Sequence, residues 1–146
     1  MVCKILMNTY TQNTYNYLKR KGLAQKYEHS GIYCIKINNK IVYIGKSMNM
    51  LRRISQHYVG IKIKSNKKYK ILAQLLQNGY NINFDVLYYS KEESYNIKFE
   101  EISNKESEYI RQYNPLLNTQ IPKLEDFRKY EYKEVNSEKV YQEIVS

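Results

Sequence analysis

The alternation of apolar and polar positions along the chain first marks out its strands. Two runs rich in β-branched and aromatic residues, 31–37 and 40–45, flank the pair Asn38-Asn39. Because asparagine tolerates a positive φ at a tight turn, the two runs predict a β-hairpin. A third run in which apolar residues nearly alternate, 82–89, predicts another strand.

Capping residues and glycines predict two helices around this hairpin. Residues 11–21 are expected to form a short helix, with Gly22 placed to end it. Asn49 is a suitable N-cap for a second helix that runs to about Tyr58, and Gly60 follows as its stop.

Two more helices are predicted in the second half of the chain, one over 66–78 that ends at Gly79 and one over 104–113 that ends at Pro115. The charged tail allows a final helix at 137–145. The core-facing side chains expected in these helices are Tyr69, Leu72, Ala73, Leu75, Leu76, Ile110 and Tyr113. The order of the main elements is therefore β-β-α-α-β-α, which predicts a mixed α/β fold.

Length and composition favour one ordinary globular domain. The chain has 146 residues, and its 42% hydrophobic content is enough to build a core. Seventeen of its aromatic residues are tyrosines. We interpret this as a compositional trend shared with Lys, Asn and Ile rather than a stacking surface, because stacking requires aromatic side chains at particular exposed positions.

The net charge of +10 is concentrated in one block of the chain. Residues 31–70 contain ten basic residues and no acidic one, whereas the tail 123–146 contains five basic and six acidic residues. A block of one sign on a folded domain concentrates polyanions such as nucleic acids, although a basic run can also be a plain solvated face.

Other classes of protein find little support in the sequence. Cys3 and Cys34 are the only cysteines, and with two scattered histidines they give no zinc-finger spacing. No apolar run approaches the ~18 residues of a membrane span, and no signal peptide is recognisable. We therefore expect a soluble intracellular protein, cytoplasmic or nucleoid-associated, without a membrane partner.

Two tripeptides carry the most specific signal. Gly31-Ile32-Tyr33 and Tyr43-Ile44-Gly45 match both name-giving motifs of the GIY-YIG nucleases, and the segment ESEYIRQYNPLLN resembles the glutamate helix of that family with its closing Pro-x-x-Asn. The chain thus resembles a small stand-alone GIY-YIG nuclease over residues 31 to about 118. The positions that carry the resemblance outside the tripeptides are Lys46, Arg53, His57, Glu106 and Asn118.

The resemblance implies a fold and an activity. The fold would be a compact three-stranded antiparallel sheet flanked by helices, with 31–122 as the nuclease domain, 1–30 as a helical extension and 123–146 as a charged tail. The activity would be that of a metal-dependent endonuclease that hydrolyses phosphodiester bonds of DNA with one active site per chain.

Elementary geometry brings the same residues together. In an antiparallel hairpin Tyr33 and Tyr43 can project from one face of neighbouring strands, while Arg53 and His57 share one face of the following helix. A guanidinium suits phosphate oxygens because it binds them bidentately and stays charged. The resemblance implies that Tyr33 activates the attacking water, directly or through His57, and the sequence leaves open which of the two accepts the proton.

Glu106 is the candidate metal ligand. The resemblance supplies one carboxylate, and Mg²⁺ often binds through one or two carboxylates, several waters and substrate phosphate. We therefore expect a single Mg²⁺ (or Mn²⁺) site completed by the DNA. Asn118 would close the site by hydrogen bonding and anchor the region of Glu106, and Lys46 would help to stabilise a phenolate.

Further cations are candidates for binding the DNA backbone, and the expected assembly is a monomer or a weak homodimer. An apolar stripe of the tail, formed by Val135, Val140 and Ile144, could mediate a dimer or pack on its own domain. The candidate substrate-binding residues are Arg52, Lys62, Lys64, Lys67, Lys68 and Lys70.

Each candidate also has an ordinary structural interpretation. Tyrosines are common in strands, and Glu106 could be an acid near a helix start. The main alternative function is a catalytically silent nucleic-acid-binding module with the same fold, and a third is a basic RNA-binding protein in which the tripeptides are accidental. The sequence does not distinguish roles in restriction, mobile elements, repair or phage biology.

Overall fold

Helices and strands follow one another in mixed order in a computed structural model that describes residues 2–119 and 122–130. The strands form one sheet, and the longer helices lie on both of its faces. The elements are α1 (Val2–Arg20), α2 (Ala24–Tyr27), β1 (Gly31–Ile37), β2 (Lys40–Ser47), α3 (Met50–Ile63), α4 (Lys67–Gln77), β3 (Ile82–Tyr89), α5 (Tyr95–Tyr113), α6 (Leu116–Thr119) and a 3₁₀ helix (Leu124–Tyr130).

The three strands form one antiparallel sheet in the order β2-β1-β3. The turn between β1 and β2 places Asn38 at φ 46° and Asn39 at φ 74°, so both residues occupy the left-handed region that the hairpin prediction required. The predicted hairpin, the third strand and the order β-β-α-α-β-α are confirmed. Since β2 is an edge strand, one row of its backbone groups points away from the sheet.

Side chains of β1 and β2 alternate between two apolar layers. Ile32, Cys34 and Ile44 lie on one face and pack with Ile102 of α5. Tyr33 and Tyr43 lie on the opposite face, in the larger cluster formed with α1, α3 and α4. The period of two in a strand therefore separates the phenols from α5.

Helices α1 and α3 are longer than the sequence predicted. Helix α1 begins at Val2 rather than at residue 11, and it ends at Arg20, just before the predicted stop Gly22, which has a φ of 84°. Asn49 caps α3 as expected, its side chain accepting a hydrogen bond from the Arg52 N–H. The prediction that Gly60 ends this helix is wrong, because Lys64 ends it with a φ of 55° and Gly60 lies inside.

Helix α5 differs most from its prediction. It starts at Tyr95, nine residues before the predicted start at residue 104, so that Glu106 lies mid-helix and is not a capping acid. The expectation that Tyr113 faces the core is also wrong, since its side chain is 43% exposed. Tyr113 lies in the last helical turn and stacks on Tyr109, whose hydroxyl reaches the Leu87 carbonyl at 3.3 Å.

The N-terminal helix packs against the core. Leu18 of α1 is completely buried, and the Tyr15 hydroxyl accepts a hydrogen bond of 3.1 Å from Asn49 at the start of α3. No helix in the described parts of the chain is long and apolar enough to cross a membrane. The helix predicted at 137–145 and the tail stripe lie outside the described residues, and the division into 1–30, 31–122 and 123–146 stays a prediction.

Candidate active site

The centre of the candidate site is a buried hydrogen bond between a phenol and an imidazole. Tyr33 projects from β1 towards α3, where its hydroxyl lies 2.7 Å from Nε2 of His57. Both side chains have an exposed fraction of 0%. Two residues 24 positions apart in the sequence are thus joined in the core between sheet and helix.

A second phenol binds the other nitrogen of the imidazole. The hydroxyl of Tyr69 in α4 lies 2.9 Å from Nδ1 of His57. Helix α3 lets this ring approach at Gly60, where a Cβ atom would overlap the Tyr69 ring. Sequence reasoning assigned Tyr69 to the core only. The sequence feature that could have indicated this contact is Gly60, a glycine inside a helix at a position where no turn requires one.

Burial keeps the imidazole neutral. Desolvation, reinforced by the nearby charges of Arg53 and Lys68, holds the pKa of His57 well below its usual range. A neutral imidazole has one donor and one acceptor nitrogen, so His57 donates to one phenol and accepts from the other. Desolvation likewise raises the pKa of Tyr69 to about 12, and Tyr69 is therefore a neutral phenol.

Arg53 acts on the buried pair from one turn earlier in α3. Burial and the neighbouring Tyr43 raise the pKa of Tyr33 well above its usual range, and the charge and hydrogen bond of Arg53 oppose that rise. The Arg53 Nη1 group also donates a 2.7 Å hydrogen bond to Gln56 Oε1. The guanidinium is therefore held beside the Tyr33 hydroxyl, where it favours the phenolate.

Tyr43 and Lys68 form the more accessible side of the cluster. The Tyr43 ring lies 5.6 Å from the His57 ring and 6.3 Å from the Tyr33 ring, measured between centroids. The Lys68 ammonium lies 4.3 Å from the centroid of Tyr43. Burial and the charge of Arg53 lower the pKa of Lys68. All three of Tyr43, Arg53 and Lys68 are partly exposed.

Glu106 lies on the other side of β2. Its half-buried carboxylate accepts a hydrogen bond from the Lys46 backbone N–H, and burial raises its pKa while the Lys46 charge opposes the rise. Along an extended strand, the three residues from Tyr43 to Lys46 span about 10 Å. The Lys46 ammonium donates a 2.9 Å hydrogen bond to Ser103 Oγ and lies 4.8 Å from the Phe99 ring centroid, so its contacts are with α5 rather than with the phenols.

Asn118 closes the free edge of β2. Its Oδ1 accepts a 2.8 Å hydrogen bond from the Ile44 N–H, and its Nδ2 donates a 2.8 Å hydrogen bond to the Ile44 carbonyl. The amide thus satisfies the two groups that a further strand would pair. Contrary to the sequence expectation, Asn118 anchors the strand between Tyr43 and Gly45 and not the region of Glu106, which lies within a helix.

A family model decides the relationship of the chain to known proteins. The model of the GIY-YIG catalytic domain matches residues 29–120, well over half of the chain. The chain belongs to the GIY-YIG family. No curated protein matches it significantly.

The solved structures that resemble this chain include several forms of one endonuclease domain. The GIY-YIG N-terminal endonuclease domain of UvrC from Thermotoga maritima, as a point mutant bound to its catalytic divalent cation, is 19% identical with a TM-score of 0.42. The alignment covers 69% of this chain and 94% of that one. The same domain bound to magnesium is 20% identical with a TM-score of 0.40, over 68% of this chain and 94% of that one.

The remaining basic candidates of this GIY-YIG chain are dispersed. Arg52 turns to α1, where its Nη1 group donates a 3.1 Å hydrogen bond to Gln12 Oε1. Lys62 lines a cavity of about 430 Å³ between α1 and α3. Lys64, Lys67 and Lys70 are exposed, so that Lys68 is the one member of the predicted set placed against the phenols.

Glu106 stays the predicted metal ligand. Its carboxylate is half-buried and forms no ion pair with any residue that the structure describes. A hard divalent cation prefers such an oxygen ligand. The described residues include no group of three or more His, Cys, Asp or Glu side chains that could hold a metal ion.

The buried imidazole predicts a dependence of stability on pH. Unfolded histidine titrates near pH ~6.5, whereas folded His57 stays neutral to lower pH, so below ~6.5 the unfolded state binds more protons. The free energy of unfolding should therefore fall by about 1 kcal/mol between about pH 7.5 and about pH 5.5. Urea denaturation at the two pH values measures it.

The variant His57→Gln should lose this pH dependence, because the group that titrates only in the unfolded state is gone. His29→Gln, at the exposed histidine of the chain, is the matched control and should keep the wild-type dependence. An equal loss of stability in wild type and His57→Gln on acidification would contradict a neutral buried imidazole.

Proposed function

We propose that this GIY-YIG chain is a metal-dependent endonuclease that hydrolyses phosphodiester bonds of DNA with a single active site. The observation that carries the proposal is the hydrogen bond of Tyr33 to the neutral His57, with Arg53 bound to the same phenol. This arrangement combines a proton acceptor with a phosphate-binding cation. Family membership of residues 29–120 supports it.

The accessible side of the cluster is suited to the scissile phosphate. Arg53 and Lys68 present two cations, and the Tyr43 hydroxyl can donate a hydrogen bond beside them. In the transition state of hydrolysis the phosphate oxygens gain negative charge, and preorganised donors stabilise that charge most effectively where water is partly excluded. We assign phosphate binding to these three residues.

We assign proton transfer to the buried pair Tyr33 and His57. The attacking water must lose a proton, and a neutral phenol with a raised pKa is a poor base by itself. If His57 carries its proton on Nδ1 and donates a hydrogen bond from it to the Tyr69 hydroxyl oxygen, Nε2 is free to accept the Tyr33 proton. Tyr33, which is buried in the absence of substrate, can then take up the proton of a water that comes within hydrogen-bonding reach of its hydroxyl. Tyr69 is in this scheme a positioning residue that selects the tautomer of His57.

Glu106 would hold one divalent cation, Mg²⁺ or Mn²⁺, with the substrate phosphate completing its coordination. When bound, such an ion would neutralise phosphate charge and stabilise the leaving 3′ oxygen. The Lys46 backbone N–H fixes the carboxylate against the end of β2. The strand that carries Tyr43 thus also positions the metal ligand.

Cleavage of plasmid DNA tests the function directly. Because one site cuts one strand per engagement, wild type with Mg²⁺ should convert supercoiled plasmid to open circles before linear product accumulates. Glu106→Gln, which keeps the size but loses the charge of the ligand, should lower the rate at least ~100-fold, as expected for a lost transition-state interaction. Its affinity for DNA should change little.

The control for this assay is EDTA, which should abolish wild-type cleavage. Undiminished cutting by Glu106→Gln would remove this residue from the site. Binding of DNA by wild type without any cleavage in Mg²⁺ or Mn²⁺ would instead identify a catalytically silent binding module. Linear product without an open-circle stage, from a stable dimer, would contradict a monomer or weak dimer that nicks.

Neighbouring arginines offer a matched pair of variants. Arg53→Lys keeps the charge but loses the planar fork that binds Tyr33 and can grip phosphate, so kcat should fall about 10-fold or more. Arg52→Lys should leave kcat within about twofold, because Arg52 contacts α1. Plasmid nicking rates measure both variants, and similar rates for the two would show that the wrong arginine has been assigned.

A further inference from the structure

The first turns of α5 expose a pair of stacked aromatic rings. Tyr95 and Phe99 are one helical turn apart, with ring centroids 6.4 Å apart and an interplanar angle of 13°. Their side chains are 64% and 45% exposed. The described part of the chain places no apolar layer over them, so a large π surface faces solvent.

This aromatic pair is continuous with the candidate active site. The Lys46 ammonium lies 4.8 Å from the Phe99 ring centroid and also binds Ser103 Oγ. Phe99, Ser103 and Glu106 recur at helical spacing, so they share one face of α5. Phe99 and Glu106 are seven positions apart, which corresponds to about 10 Å of helix, roughly the length of three stacked nucleotides.

The exposed faces of the Tyr95 and Phe99 rings are suited to stacking on a nucleobase. Every base has a π face that stacks on exposed aromatic rings, and Lys46 could bind the phosphate attached to a base held there. The exposed acids Glu93 and Glu100 lie close in sequence to the rings and disfavour a phosphate directly on them. The rings therefore offer contact to a base rather than to the sugar-phosphate backbone.

We propose that Tyr95 and Phe99 bind an unstacked base of the nucleic acid close to the scissile phosphate, so that the substrate has unpaired nucleotides there. This inference rests on the proposed nuclease function and specifies its substrate class. Bases inside a duplex are stacked on both faces, and only single strands, loops, flaps or frayed ends present a free π face.

The chain contains no tryptophan, so Phe99→Trp introduces a unique fluorescent reporter at the pair. The full-length variant is titrated in EDTA, which prevents metal-dependent cutting, with a short oligo(dT), an abasic oligonucleotide of the same length and a blunt duplex. We expect saturable quenching by oligo(dT), with an affinity at least about fivefold weaker for the abasic strand. Equal quenching by the two strands would overturn the proposal.

A second experiment removes both rings and measures the affinity for labelled oligo(dT) by fluorescence anisotropy. The double variant Tyr95→Ala with Phe99→Ala should bind oligo(dT) about fivefold or more weakly and bind duplex nearly as wild type does. The control is Ile97→Ala, because Ile97 is 55% exposed in the same segment but has no ring. An equal effect of the control, or conversion of a dimer to a monomer by the double variant in light scattering, would overturn the proposal.

The outcomes separate this inference from the proposed function. Base-dependent quenching in a protein that never cleaves DNA with Mg²⁺ would support the aromatic site and contradict the nuclease. Cleavage of plasmid together with base-independent binding would support the nuclease and overturn the aromatic site. Absence of any nucleic-acid binding would overturn both.

Discussion

The hydrogen bond between the Tyr33 hydroxyl and His57 Nε2 is the contact on which the arrangement of the site depends. It joins the central strand to α3 inside the core, where a broken hydrogen bond would leave a buried polar group unpaired at a cost of about 1–3 kcal/mol. His57 lies on the buried face of α3, with Arg53 beside the phenols and Arg52 in contact with α1. Helix α4 completes the arrangement through Tyr69, which binds the remaining nitrogen.

Close packing around the three rings explains two glycines. A Cβ atom on Gly45 would overlap the Tyr33 hydroxyl, and one on Gly60 would overlap the Tyr69 ring. The glycine of the second tripeptide therefore makes room for the tyrosine of the first. Asn118 then holds the intervening strand by binding both backbone groups of Ile44. The family motif is in this structure a packing constraint as well as a set of chemical groups.

Local sequence patterns predicted the hairpin and the grouping of the phenols with the helix that carries Arg53 and His57. This was possible because alternation along a strand and spacing along a helix determine the side towards which each side chain points. They could not predict Tyr69 as a partner of His57, since an inward position on an amphipathic helix looks the same whether it packs or donates a hydrogen bond. The orientation of Lys46 towards α5 and the pairing of Asn118 with an edge strand depend on tertiary contacts between distant segments. The end of α3 was misplaced at Gly60, because the packing of this glycine against Tyr69 keeps it inside the helix.

The most direct test of this account is ¹⁵N NMR of the His57 ring, because it reports the protonation state and the tautomer together. We expect a neutral ring protonated at Nδ1, with a His57 pKa well below the ordinary value of histidine. In Tyr69→Phe, which removes only the hydroxyl at Nδ1, the preference for that tautomer should weaken. A wild-type His57 that titrates near pH ~6.5, the ordinary value for histidine, or that carries its proton on Nε2 would contradict the account.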